Sequence, residues 1–148
     1  MNLNSIHVNL GNYCNYKCSH CATDSSPSGK LEIAPDEIAQ IIDETNGYSW
    51  KEVVFSGGEP TLYIDRINHI LRGIKKLESI QIAITTNGWF LESADKTTEI
   101  ISSIVKLDKV FVSYDVFHNS QLRLKNFVSN ISILESKAIK HEISICIS

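Results

Sequence analysis

The run Ile6-His7-Val8-Asn9-Leu10-Gly11-Asn12-Tyr13-Cys14-Asn15-Tyr16-Lys17-Cys18-Ser19-His20-Cys21 carries the two signals on which the fold reading rests. Its first part alternates, with Ile6, Val8 and Leu10 apolar and His7 and Asn9 polar, the period of two expected of a strand. Gly11-Asn12 breaks that pattern and delivers a loop holding three of the chain's 4 cysteines, spaced Cys-x3-Cys-x2-Cys. Thiolates this close converge on one small inorganic centre more readily than they pair as disulfides. A structural zinc site takes four ligands; His20 or His7 would have to complete it, and Cys21 beside His20 makes a joint bite awkward. On a four-iron cubane, three thiolates leave one iron open to a small molecule.

Outward from this run, the pattern repeats without the cysteines. Val53-Val54-Phe55 reads as a second strand running into Ser56-Gly57-Gly58-Glu59-Pro60. Ile80, Ile82 and Ile84 mark a third, ended by Thr85-Thr86-Asn87-Gly88. Val110-Phe111-Val112 starts a fourth, ended by Ser113-Tyr114-Asp115, and Ile143, Ile145 and Ile147 mark a fifth. Between them lie helical stripes. Pro35-Asp36-Glu37 opens the first helix, proline suiting the first turn and the acids complementing the dipole, with Ile38, Ile41 and Ile42 as its apolar side. Ile64, Ile67, Ile70, Leu71 and Ile74 make the second; Ile100, Ile101, Ile104 and Val105 the third; Leu122, Leu124, Phe127, Val128, Ile131 and Leu134 the fourth.

Strands alternating with helices every ~30 residues read as right-handed βαβ units on a parallel sheet. A closed eight-unit barrel takes about 250 residues, and this chain has 148. The expected fold is therefore α/β: a partial, incomplete TIM-type barrel, an open curved parallel sheet of about five strands with helices on the outer face. Residues 1–148 read as one domain, with no linker, sequence repeat or low-complexity segment.

Composition is that of an ordinary globular chain, 43% hydrophobic and 21% charged. A net charge of -3 gives no basic footprint for nucleic acid. No apolar run approaches the ~20 residues of a membrane span, and Met1-Asn2-Leu3-Asn4 lacks a signal pattern. A cytoplasmic protein is expected, where clustered cysteines point to metal or redox chemistry. Cys146, in a strand-like apolar run, reads as a small buried hydrophobe.

The cysteine loop, with a flat ring at His20 before its last cysteine, resembles the cluster loop of the radical S-adenosylmethionine (radical SAM) superfamily. Ser56-Gly57-Gly58-Glu59-Pro60 resembles that family's Gly-Gly-Glu-Pro motif, which meets the methionine end of SAM. The resemblance spans essentially this whole chain but only the first five βα units of a family core usually built of six. It implies that Cys14, Cys18 and Cys21 hold a [4Fe-4S] cluster and that SAM chelates the fourth iron. A reduced partner, flavodoxin- or ferredoxin-like, supplies one electron. SAM then gives methionine and a 5′-deoxyadenosyl radical, which takes a hydrogen atom from a substrate. That substrate is not legible; peptide modification is one task among similar proteins, and small molecules are equally compatible.

Function in such sheets gathers at the C-terminal ends of the strands, and the site candidates share that rim. Gly57 and Gly58 let backbone come close to a ligand, so Gly58→Val is expected to weaken SAM binding and spare the cluster. The Glu59 carboxylate suits the SAM ammonium, and His20 the adenine. Asn87, Ser113 and Asp115 suit sugar hydroxyls or the methionine carboxylate; each equally suits a turn or a cap. Phe117 and His118 are weaker candidates. A non-catalytic or partner-dependent iron–sulfur or SAM-binding module, and a zinc-binding interaction module, are the alternative readings. The uncharged strand-five edge of Ile143, Ile145 and Ile147 is expected to self-associate or to need a partner.

Overall fold

The computed structural model of the chain describes residues 4–45, 50–114 and 123–145. Strands β1 (Ser5–Asn9), β2 (Glu52–Ser56), β3 (Gln81–Thr86), β4 (Lys109–Ser113) and β5 (Lys140–Ser144) alternate with helices α1 (Pro35–Thr45), α2 (Ile64–Gly73), α3 (Ala94–Ser103) and α4 (Leu124–Ser136). The strands form one sheet in the order β1-β2-β3-β4-β5, every pair parallel. Parallel neighbours joined by right-handed crossovers in sequence order place every helix on one face. The sheet is open, an unclosed arc of the TIM type as expected.

The core lies between that face and the helices. Val8, Val53, Phe55, Ile82, Ile84, Val110 and Val112 point into it and meet Ile38 and Ile42 of α1, Ile67, Ile70 and Leu71 of α2, Ile101 of α3 and Phe127 and Leu134 of α4. The alternate residues occupy the other face: His7, Asn9 and Thr85 are exposed and Ser56 half-buried. Only Val54 in β2 and Ala83 in β3 are buried there among the described residues. Strands with neighbours on both sides need apolar residues on both faces, which is why β2 reads as a continuous run.

Three expectations change. Ile41 is 54% exposed, and Ala39 takes its place on the inner side of α1 beside Ile38 and Ile42. α3 begins at Ala94, where Ser93 accepts a hydrogen bond from the Lys96 amide, and ends before Ile104 and Val105. The fifth strand begins at Lys140, pairing Val112 with Ile143 and Ser113 with Ser144, so its core is Lys-His-Glu-Ile-Ser and not the isoleucine run. The ladder to β4 sets this register: Lys140 donates to the Asp108 carbonyl before the isoleucines are reached. Ile147 and Cys146 lie outside the described residues.

Candidate functional site

The β1–β2 ladder does not stop where the strands end. Leu10 N–H donates to the Ser56 carbonyl, Gly58 N–H to the Gly11 carbonyl at 2.7 Å and Glu59 N–H to the Tyr13 carbonyl at 3.0 Å. The cysteine loop and the glycine motif are thus zipped together as two backbones. Close approach explains the glycines. A Cβ on Gly58 would stand 1.8 Å from the Tyr13 carbonyl oxygen, and one on Gly57, whose φ is +126°, would stand 2.6 Å from the Gly11 carbonyl oxygen. The expectation that Gly58→Val spares the cluster loop is therefore corrected. The intolerance of Gly58 comes from backbone packing against the residue before Cys14.

The loop itself is tied at its base. Tyr13 N–H donates to the Tyr63 hydroxyl at 2.7 Å. Asn12 holds Leu31 through both backbone and side chain, and Cys14 N–H donates to the Ser26 carbonyl at 3.1 Å. Thr23 reaches across to the Gly57 carbonyl at 3.1 Å. These bonds bring Cys14, Cys18 and Cys21 to the wall of one pocket of ≈ 330 Å³, shared with His20, Gly57, Gly58, Thr86 and Asn87.

Beneath the pocket, Glu59 is 0% exposed. Its Oε1 accepts from Thr61 N–H at 3.1 Å, the Thr61 hydroxyl at 2.6 Å and the Thr86 hydroxyl at 2.7 Å. Its Oε2 accepts from Asn87 N–H at 2.9 Å. Trp89 Nε1–H extends the network, donating to the Thr61 hydroxyl at 2.7 Å. The bonds of this enclosed carboxylate are to protein groups, which gives its side chain a structural part beside the SAM contact expected of it. It fastens the end of β3 to the glycine motif. Burial pushes the Glu59 carboxyl above the usual carboxylate range, against hydrogen bonds from Thr61, Asn87 and Thr86 that favour the ionised form. Pro60 is buried beside it and starts the turn Pro60–Leu62.

The cysteines are not equivalent. Cys14 is buried; Tyr16 N–H points at its sulfur at 3.4 Å and Asn87 Nδ2 at 3.7 Å. Burial pushes its thiol up, only partly offset by the Tyr16 and Asn87 donors. At Cys21 burial also acts upward, but the Thr23 hydroxyl and the Ser25 and Thr23 backbone N–H groups outweigh it and bring the thiol below its ordinary value. Among the described residues no three His, Cys, Asp or Glu side chains stand close enough to hold a single metal ion. What the site does offer is three thiols on the wall of one pocket, the donor set that a cubane with one open iron would take.

Asn87 and His20 line the pocket. Ser113 closes β4 on the same rim but is not part of the pocket wall. Asp115, Phe117 and His118 lie outside the described residues. Sequence reading missed Thr61, Thr86, Tyr63 and Trp89. A threonine two residues from a motif glutamate is a usable signal, since it can cap and bond that carboxylate at once; the tyrosine and tryptophan give none.

The sequence matches the Radical SAM superfamily over residues 8–138. A probable GTP 3',8-cyclase of Methanocella arvoryzae is 33% identical over 113 residues, 76% of this chain and 34% of the relative. The putative peptide biosynthesis protein YydG of Bacillus subtilis is 28% identical over 117 residues, 77% of this chain and 36% of YydG. The chain thus spans little more than a third of these two relatives. Among solved structures, Streptococcus suis SuiB bound to the precursor peptide SuiA superposes with a TM-score of 0.68 at 20% identity, over 97% of this chain and 33% of SuiB. BtrN in complex with AdoMet and 2-DOIA gives 0.56 at 16% identity, over 96% of this chain and 56% of BtrN. With its motifs zipped together on one rim of the expected arc, the chain belongs to the radical SAM superfamily, whose members use a [4Fe-4S] cluster and S-adenosylmethionine.

Proposed function

We propose that residues 1–148 form a radical SAM core that cleaves SAM reductively to abstract hydrogen from a substrate. The observation that carries this reading is the shared pocket: Cys14, Cys18 and Cys21 line the same wall space as Gly57, Gly58, Thr86 and Asn87. The three cysteines would hold the cubane, which when bound passes an electron to the SAM sulfonium. Everything else falls to the chain. Glu59 holds the motif backbone and the β3 end in fixed relation, so the pocket is set before SAM arrives. His20 offers a flat face to the adenine, Asn87 and Ser113 are polar candidates for SAM on the rim, and Asp115 is a further polar candidate from the sequence. Thr23 bridges the cysteine loop to Gly57.

The substrate we assign is a peptide. The relative named as a peptide biosynthesis protein supports it. A flavodoxin- or ferredoxin-like donor would supply the electron. Free thiols at all three positions suit a reducing, cytoplasmic setting, and no helix among the described residues is long and apolar enough to cross a membrane.

The test is anaerobic reconstitution with iron and sulfide, followed by SAM and dithionite. Four irons and four sulfides per chain with formation of 5′-deoxyadenosine support the reading. A loaded cluster with no SAM cleavage makes the chain a binding or partner-dependent module. Tight stoichiometric zinc without sulfide overturns it. Turnover stimulated by purine triphosphate and not by peptide would move the substrate to the nucleotide class.

A further inference from the structure

We propose that Asn87 is a positioning residue that donates a hydrogen bond to the Cys14 sulfur and thereby raises the reduction potential of the cluster. This inference rests on the assignment of Cys14, Cys18 and Cys21 to a cubane. The geometry starts from the amide. Asn87 Nδ2 stands 3.7 Å from Cys14 Sγ and 2.9 Å from Asn15 Oδ1, at a residue only 7% exposed. Its Oδ1 accepts Trp89 N–H at 3.0 Å. A flipped amide would set oxygen against Asn15 Oδ1 and an NH2 against the Trp89 N–H, so the donor end is the one that faces the sulfur.

The backbone is pinned as firmly. Asn87 N–H donates to the buried Glu59 carboxylate at 2.9 Å, and that carboxylate also takes the Thr86 hydroxyl of the preceding residue. The motif glutamate thus acts on the cysteine at one remove, through the residue that follows β3. Cys21 is served from its own loop, by Ser25 N–H at 3.3 Å and Thr23 at 3.4 Å.

A hydrogen bond to a ligating sulfur draws charge from it and favours the reduced, more negative cluster. Cys14 is 8% exposed, and in such a low-dielectric setting one donor counts for more than it would in water. The second donor at this sulfur, Tyr16 N–H, is backbone and does not change with a side chain. Asn87 is therefore the side chain through which the sequence acts on the Cys14 sulfur.

The experiment compares the anaerobically loaded chain with Asn87→Asp and Asn87→Leu, without SAM, by redox titration followed by electron paramagnetic resonance. Asn87→Asp keeps an oxygen for Trp89 N–H; Asn87→Leu adds no charge. Both should load iron and sulfide like the wild type yet reduce at lower potential, the one-electron equilibrium shifting about tenfold, or about 59 mV. One variant that loads and shifts suffices if the other fails to load. Unchanged potentials in loaded variants overturn the proposal, and weakened SAM binding in those same samples would make Asn87 a SAM contact instead. Failure of both variants to load also overturns it, since Asn87 would then serve loop folding. A wild type that takes up no cubane fails the assignment of the cysteines, a separate result.

Discussion

The sheet has two ends, and the chain treats them differently. At β1 the backbone continues past the strand, pairs with the glycine motif through Gly11 and Tyr13, and folds residues 12–31 back on themselves. Its bonds there are mostly backbone, and one buried side chain, Glu59, gathers four donors. At β5 four of five residues are exposed, and the best side-chain contacts are the Lys109–Glu142 ion pair and a His141–Glu135 contact at 4.0 Å. The difference teaches that the chemistry is held where polar groups are buried and fully partnered. Such groups are costly to disturb, whereas exposed pairs contribute at most about 1 kcal/mol.

The sharpest way to break the β1 end is one methyl group. Gly58→Ala needs no unusual φ, yet its Cβ meets the Tyr13 carbonyl oxygen at 1.8 Å and the Tyr13 carbonyl carbon at 2.5 Å. Backbone on both sides cannot give way cheaply, so the ladder between the motif and the cysteine loop must open. Iron and sulfide content after reconstitution should fall to near zero, as it should for Cys14→Ala, Cys18→Ala or Cys21→Ala. An alanine variant that loads normally and binds SAM weakly would restore the view of Gly58 as a ligand contact alone.

Glu59 comes next. Glu59→Leu strands donors from Thr61, Thr86 and Asn87 in a site with no water access and should cost about 3–5 kcal/mol, out of the 5–15 kcal/mol typical of a domain. Glu59→Gln keeps one acceptor oxygen and turns an amide toward Asn87 N–H, for about 1–3 kcal/mol. Urea unfolding of the cluster-free chain reads both. A stable Glu59→Leu protein with lost SAM affinity would return the carboxylate to the ligand. Tyr63→Phe is milder: Tyr13 N–H loses its 2.7 Å acceptor, for about 1 kcal/mol.

How far the sequence carried the reading follows the same division. The βα alternation, the parallel sheet and the three cysteines were legible because they rest on local signals: period-two runs, Gly breaks, close thiols. β2 and β3 were the easiest strands, since burial on both faces makes Val53-Val54-Phe55 and Ile82-Ala83-Ile84 continuous apolar runs. β5 was misplaced because its position is set by Lys140 and His141 pairing with Lys109 and Val110, a nonlocal ladder with no apolar mark. Within the site, the residue types were right and some reasons were not. Gly58 and Glu59 look like ligand contacts when only one segment is visible. Their partners, Tyr13 and Thr86, are 45 and 27 positions away in sequence, and spacing cannot show that a backbone crosses there.

The smallest effect should come from the other end of the sheet. Ile143 and Ile145 are 44% and 63% exposed, so Ile143→Thr and Ile145→Lys remove little buried surface from the isolated chain. Each should move its unfolding free energy by less than ~0.5 kcal/mol. Ile84→Ala, at a residue 0% exposed in β3, should cost ~2–5 kcal/mol. The same isoleucines also test association. The outer side of β5 has no strand paired to it among the described residues, and an unpaired edge with exposed isoleucines at its end pairs with other chains unless charge blocks it. Light scattering over a concentration series should show the wild-type chain associating and Ile145→Lys remaining monomeric at equal cluster content. A wild type that stays monomeric throughout would mean that Lys140 and Glu142, both exposed on this strand, already guard the edge. A variant that loses its cluster along with its association would instead show that the two ends of the sheet depend on each other.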